Sequence, residues 1–156
     1  MYVVEKVETI LTVPSIEETA AWYERVLGWN GHYDTFDAQG HCQFGSVMQG
    51  EMASPGDEDQ AITGFNLSRF GGDATSYSNG QTHFTALILV DDVDAIYARV
   101  VESGIYTGPA PETQLWGGKT LSIQDLNGFH LTFYQQMETP TLEEVRRRFE
   151  KAQATK

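Results

Sequence analysis

The chain is poor in cysteine and proline and lacks a long apolar run, and each shortage excludes a class of proteins. Its 156 residues include one cysteine, Cys42, and five prolines. A single cysteine excludes an intrachain disulfide and a multi-cysteine zinc site, and it fits a reducing compartment. Charged residues interrupt the first ten positions at Glu5, Lys6 and Glu8, where a signal peptide would be apolar. No apolar run reaches the roughly 18 residues of a membrane span. We therefore expect a soluble, cytoplasmic protein without a membrane partner.

Positive charge is scarce. The chain has 10 basic and 22 acidic residues, a net charge of -12. Residues 137–156 hold five of the basic and four of the acidic ones, so residues 1–136 carry five basic and 18 acidic side chains. Such a surface repels phosphate backbones, and five scattered cations cannot form a basic stripe. We expect no nucleic-acid partner. The acidity either favours cationic ligands or only keeps the protein soluble.

One pattern of strand and helix occurs twice. The first copy begins at Ile10 and the second at Leu87, and each opens with an apolar, β-branched run. Ser15 and Asp92 then stand where a helix N-cap is expected, and apolar residues follow at spacings of three and four up to a glycine. The repetition predicts two similar modules.

Short strands follow each predicted helix, and the turns between them contain glycine. Module one is expected over about residues 3–70, a Gly/Ser-rich linker over 71–81 and module two over about 82–136, all within one domain of residues 1–136. Residues 137–156 are predicted to add an amphipathic helix, which begins with a capping box at Thr141. The predicted strands are residues 31–37, 42–49, 61–69, 119–124 and 129–135.

The runs VPSIEETAAWYERVLGW and LWGGKTLSIQDLNGFHLTFYQQ resemble the glyoxalase, bleomycin-resistance and extradiol-dioxygenase superfamily, or vicinal oxygen chelate fold. The resemblance covers about residues 5–136 and is closest in pattern to the bleomycin-resistance branch. It implies an α+β fold in which two βαβββ modules form a curved mixed sheet around a cleft, commonly completed across a homodimer. The superfamily hosts lyases, epimerases, dioxygenases, antibiotic-modifying enzymes and non-catalytic drug binders, so the fold alone does not give the function.

The resemblance also implies four positions for metal ligands. Metal enzymes of the superfamily use His or Gln, Glu, His and Glu from the first and last strands of the modules. The matching positions here are Glu8, Thr85 and Thr132, and the fourth falls near residues 64–66, where neither a carboxylate nor an imidazole occurs. Threonine hydroxyls are poor ligands for these divalent metals. We therefore predict that the protein has no cofactor, and we favour a ligand-binding protein over an enzyme.

The candidate ligand-binding residues lie on the strands and turns of that implied cleft. His83 and His130 each precede one of the two threonines by two residues, which places them on the same strand face. A relocated metal site of Glu8, His83 and His130 is the alternative. His32 and His41 stand beside glycines and are interpreted as turn residues. The full candidate set is Glu8, His83, Thr85, Trp116, His130, Thr132 and Tyr134.

Three functions remain open at this point. The first is a non-catalytic homodimer that binds a small aromatic or cationic molecule in its cleft. The second is a metal-dependent lyase, isomerase or dioxygenase with the relocated ligand set. The third is a partner-binding module that uses the C-terminal helix. A homodimer is expected because an open sheet of this fold leaves an apolar face to be covered.

Overall fold

A computed structural model describes residues 8–50, 63–71 and 84–154 of the chain. The described residues alternate strands and helices, which confirms the predicted α+β class and the repeated strand-helix pattern. The predicted linker lies outside the described residues except for Gly71, and the predicted domain boundaries stay a prediction. The elements are β1 (Ile10–Val13), α1 (Ile16–Leu27), β2 (Asn30–Phe36), β3 (Cys42–Met48), β4 (Gly64–Arg69), β5 (Thr85–Leu89), α2 (Val93–Glu102), β6 (Gly118–Gln124), β7 (His130–Gln136) and α3 (Leu142–Ala154).

The first compact unit contains β1 to β4 and α1, together with Asp125–Gly128. Its strands follow the order β1-β4-β3-β2, in which β1 is parallel to β4 and the other neighbours are antiparallel. Ser15 caps α1 by accepting a 3.2 Å hydrogen bond from the Glu18 N–H, and Gly28 ends the helix with a φ of 72°. Both caps agree with the sequence prediction.

The apolar stripe of α1 covers one face of this sheet. In β1 and β4 alternate residues are buried, while their neighbours stay at least partly exposed. Residues 45–48 of β3 are all buried, and β2 has no buried residue. The buried hydrophobic residues of the first unit, within the described ranges, are Leu11, Val13, Ile16, Ala20, Trp22, Tyr23, Val26, Leu27, Trp29, Cys42, Val47, Met48, Phe65 and Leu67.

The second compact unit contains β5, α2, β6, β7 and α3. Its sheet has the order β5-β7-β6, with β5 parallel to β7 and β6 antiparallel to β7. Asp92 caps α2 by accepting hydrogen bonds of 3.0 Å from the N–H groups of Asp94 and Ala95. The helix packs its buried residues Val93 and Val100 toward β6 and β7.

One strand of the expected βαβββ pattern is missing from the described part of this unit. Residues 103–117 join α2 to β6 without regular structure, and they make a single β-bridge between Thr113 and Lys119. Pro109 and Pro111 lie in this segment, and proline has no N–H to donate to a ladder. Their presence explains why the chain here does not pair along β6.

The C-terminal helix α3 forms as predicted from its capping box. The Glu144 carboxylate accepts a 2.8 Å hydrogen bond from the Thr141 N–H, and the Glu144 N–H donates to the Thr141 hydroxyl at 3.2 Å. All side chains of α3 are at least partly exposed, including Leu142 at 67% and Phe149 at 40%. In the described ranges, we find no helix whose length and apolar character would let it cross a bilayer.

Candidate functional site

The open face of the second sheet brings together four of the predicted site residues. Leu131 and Phe133 of β7 are buried on the α2 side, so their neighbours along the strand point to the opposite face. Pairing in β5, β7 and β6 aligns these neighbours in rows. The three rows are Thr85, His130 and Gln124; then Leu87, Thr132 and Ser122; then Leu89, Tyr134 and Thr120.

Neutral hydrogen bonds link the side chains of this face. The Ser122 and Thr132 hydroxyls lie 2.9 Å apart, and the Gln124 Nε2 lies 2.9 Å from the His130 Nε2. One His130 ring nitrogen and the Thr132 hydroxyl are therefore already engaged within the sheet. The face offers hydroxyl, amide and imidazole groups next to Leu87 and Leu89, which are 61% and 73% exposed.

Trp116 lies in a turn at the start of β6. The Gly117 N–H donates a 2.9 Å hydrogen bond to the Gln114 carbonyl, and Trp116 itself is 43% exposed. Two residues after Trp116, Gly118 lies directly against the Tyr134 ring, because a Cβ at this glycine would be 2.1 Å from the Tyr134 Cε2. Tyr134 is thus an aromatic surface fixed beside β6, and Trp116 is an exposed ring at the strand's beginning.

A cavity of about 260 Å³ lies beside β6, where the missing strand would have paired. Thr120 and Ser122 place this cavity at the border of the open face described above. Sequence reasoning missed the wall residues because the segment that carries them has no helical or strand period. The lining consists of Tyr106, Pro109, Ala110, Pro111, Glu112, Gln114, Thr120, Leu121 and Ser122.

The open face of the first sheet carries the predicted residue Glu8. The Asn66 Nδ2 donates a 3.4 Å hydrogen bond to the Glu8 Oε2, and Glu8 is exposed. Asn66 belongs to a row across the sheet that also contains Ile10, Ser46 and His32. A carboxylate, an amide, a hydroxyl and an imidazole thus lie on this side of the sheet, where Glu8 is exposed and Ser46 is buried.

The interpretation of His32 as a turn residue is wrong. His32 lies within β2, opposite Ser46, and its Nε2 is buried without a hydrogen-bond partner in the part of the chain that the structure describes. The neighbouring Gly31 does not mark a turn. It lies where β2 comes close to α1, because a Cβ at Gly31 would be 2.8 Å from the Ala20 Cβ. His41 follows the turn at Gly40, as expected.

Cys42 is buried and its thiol donates to the Phe44 carbonyl oxygen at 3.1 Å. Burial raises the pKa of the Cys42 thiol, so the reactive thiolate form is disfavoured. The Cys42 N–H donates a 2.7 Å hydrogen bond to the Glu17 carboxylate, and this bond holds the pKa of Glu17 below its usual value. These contacts give the two residues a structural role.

The residues at the implied metal positions do not fit a divalent metal. The fourth implied ligand position, expected near residues 64–66, is Asn66, because its side chain contacts Glu8. Asn66, Thr85 and Thr132 supply neither carboxylate nor imidazole. Among residues 8–50, 63–71 and 84–154, we find no group of three His, Cys, Asp or Glu side chains that could hold a metal ion. His83, a member of the alternative ligand set, lies outside the described residues.

Solved structures share this fold at low sequence identity. A glyoxalase-related enzyme from Clostridium phytofermentans superposes with a TM-score of 0.67 at 24% identity, covering 86% of this chain and 97% of the other. The bleomycin resistance determinant encoded on the transposon Tn5 superposes with a TM-score of 0.60 at 22% identity, covering 86% of this chain and 100% of the other. TioX from Micromonospora sp. ML1 superposes with a TM-score of 0.58 at 20% identity, covering 88% of this chain and 100% of the other.

Sequence comparisons give the family. A search of curated proteins finds no significant match. The sequence model of the Glyoxalase/Bleomycin resistance protein/Dioxygenase superfamily matches residues 6–133, which nearly coincides with the stretch whose motifs suggested it. Because this match covers most of the chain, and because the fold agrees, the chain belongs to the Glyoxalase/Bleomycin resistance protein/Dioxygenase superfamily.

Proposed function

We propose that this protein is a non-catalytic binder that takes a small aromatic or cationic molecule on the open faces of its sheets, without a bound metal. The proposal is carried by the chemistry of the side chains at the four implied metal-ligand positions. Only Glu8 is a conventional ligand, while Asn66 donates its amide to Glu8 and Thr132 is hydrogen-bonded to Ser122. Such a set hydrogen-bonds an organic ligand more readily than it holds a metal.

The chemistry of the second sheet supports a ligand that is partly apolar. The Tyr134 ring offers aromatic surface beside the hydroxyl of Thr132 on β7, and the Trp116 ring is 43% exposed at the start of β6. Ligand sites are commonly built from apolar and aromatic surface with a few placed polar groups. The proposed binding residues are Glu8, His83, Thr85, Trp116, His130, Thr132 and Tyr134.

A compound screen combined with elemental analysis tests the function. We expect one or more aromatic or cationic compounds to raise the melting temperature of the untagged protein, because a ligand that binds only the folded state stabilises it. We also expect less than about 0.1 equivalent of zinc, nickel, manganese or iron per chain after soaking and desalting.

Two results would contradict this proposal. The first is a screen in which no aromatic or cationic compound shifts the melting temperature. The second is one tightly held metal per chain that is lost in His83→Ala or His130→Ala, which would instead support a metal-dependent lyase, isomerase or dioxygenase using Glu8, His83 and His130.

We also propose that the protein works as a homodimer in the cytoplasm. Ile10, Leu87 and Leu89 are 56%, 61% and 73% exposed, and they lie on β1 and β5, which are edge strands of the two described sheets. Exposed apolar residues on sheet edges are typical of surfaces covered by a partner. A second copy is the partner that the family resemblance implies.

Sedimentation velocity tests the dimer. We expect a dimer at micromolar concentration, and we expect Leu87→Thr with Leu89→Thr to shift it at least about tenfold toward monomer, since two buried leucines would be lost. Leu142→Thr, on the exposed helix α3, is the matched control. A monomeric wild-type protein contradicts the proposal, and dissociation by Leu142→Thr alone would assign the interface to α3.

A further inference from the structure

The cavity beside β6 exists because one edge of that strand is mostly unpaired by the described chain. The Gln114 N–H donates a 2.8 Å hydrogen bond to the Gly118 carbonyl, and Thr113 forms the single bridge to Lys119. Beyond this point the chain turns away from β6, and the cavity opens beside residues 120–122. The edge strand forms one wall of the cavity and the proline-containing segment forms the other.

Tyr106 gives the cavity an aromatic wall that neighbouring residues hold in place. Its ring meets that of Tyr97 edge to face, with centroids 6.0 Å apart and planes at 81°. Its hydroxyl donates to the Pro109 carbonyl oxygen at 3.3 Å. Gly108 lies so close that a Cβ there would be 2.5 Å from the Tyr106 hydroxyl oxygen. A ring already fixed in this way loses little conformational entropy when a ligand binds to it.

Glu112 is the acidic residue among those that line the same cavity. Its carboxylate is exposed, and no ion pair joins it to a cation within the three described ranges. Lys119, the cation of β6, instead binds the Asp94 carboxylate. The Glu112 carbonyl oxygen accepts a 3.1 Å hydrogen bond from the Gln114 Nε2, which fixes the backbone that carries this carboxylate.

We infer that this cavity binds the ammonium end of a small arylalkylamine, with the ammonium group at Glu112 and the aromatic part against Tyr106. A carboxylate beside an aromatic ring favours an organic cation by charge pairing and by cation–π attraction. The net charge of -12 adds a long-range attraction for such a ligand. At about 260 Å³ the cavity suits an amine with one ring. The inference rests on the proposed function, specifies its ligand class, and extends its site from the open face of the second sheet into this cavity at Thr120 and Ser122.

NMR titration of the 15N-labelled full chain with 2-phenylethylamine tests the inference, and 2-phenylethanol serves as the neutral probe of similar shape. We expect the amine to shift the backbone amide resonances of residues 106–108, 110, 112–114 and 120–122, and to bind about threefold to fivefold more tightly than the alcohol. Glu112→Gln should remove this difference between the probes. Glu143→Gln, which removes one exposed charge from α3, should retain it.

The ring contact is tested separately from the charge. Tyr106→Leu should weaken both probes about threefold, because each loses the aromatic surface, whereas Tyr106→Phe should retain binding. Unchanged spectra outside residues 97–122 would show that Tyr106→Leu is folded.

Several results would overturn the inference and leave the proposed function standing. One is amine binding that Glu112→Gln does not change, and another is a loss of amine binding in Glu8→Gln alone, which would place the cation on the first sheet. Shifts confined to other residues, or no shift with the amine while other compounds bind, would also overturn it. The proposed function fails as well only if the whole screen finds no ligand.

Discussion

Replacing Asp125 by alanine should lower the free energy of unfolding by about 3 kcal/mol. Asp125 is 6% exposed, and its Oδ2 accepts a 3.0 Å hydrogen bond from the hydroxyl of the fully buried Tyr23. Its Oδ1 accepts the Asn127 N–H at 2.8 Å. The substitution removes the acceptor from both donors, and leaving a buried donor unsatisfied costs about 1–3 kcal/mol.

The same carboxylate anchors the turn between β6 and β7, which belongs to the first compact unit. In this turn the Asn127 Nδ2 also donates a 3.0 Å hydrogen bond to the Thr19 hydroxyl on α1. Loss of the Asp125 carboxylate therefore removes a hydrogen bond between the turn and α1 and a hydrogen bond within the turn.

Urea denaturation followed by tryptophan fluorescence measures this loss. Asp125→Asn keeps one acceptor oxygen and should cost less than Asp125→Ala, while Tyr23→Phe should cost about 1–2 kcal/mol. Asp34→Ala, at an exposed position of β2, is the matched control and should change stability by less than about 0.5 kcal/mol. A loss below about 1 kcal/mol in Asp125→Ala would show that the buried hydrogen bonds are replaced by water.

Most of the fold was predictable from local signals. Helix α1 begins after Ser15 and ends before Gly28, as its capping box and apolar spacing predict. The strand predicted at 42–49 is observed as Cys42–Met48, and the one at 119–124 as Gly118–Gln124. These elements depend on residues close in sequence, so sequence patterns suffice to find them.

The site was predictable only where it depends on strand alternation. His130, Thr132 and Tyr134 share a face because side chains alternate along a strand, and the structure places them so. Their cross-strand partners Gln124 and Ser122 depend on the register between β6 and β7, which local sequence does not determine.

The cavity residues escaped prediction for a different reason. Tyr106 and Glu112 lie in an irregular segment, and their approach to β6 depends on where Pro109 and Pro111 prevent pairing. Such an arrangement leaves no period in the sequence. The cavity forms because the chain does not pair with β6, whereas the family pattern implies a strand at this edge.

Gly45→Ala should lower the free energy of unfolding by about 3 kcal/mol, because the added methyl group would collide with the main chain. A Cβ at this position would lie 2.3 Å from the His32 carbonyl oxygen and 3.3 Å from the Ile16 Cγ2. Gly45 is paired with Tyr33, directly before the irregular register of β2 at Thr35. The backbone of β2 must therefore move away from β3, which breaks their hydrogen bonds, or α1 must move away from the sheet.

Thermal and urea unfolding of Gly45→Ala measure the loss, and hydrogen exchange of the β2 amides shows where it acts. We expect faster exchange around His32, since its strand has to separate from β3, and little change in β6 and β7. Gly71→Ala is the matched control, because a Cβ there meets nothing within 4 Å. If Gly45→Ala is as stable as Gly71→Ala, β2 separates from β3 at little cost, and the position of His32 opposite Ser46 is then not fixed by the close pairing of these strands.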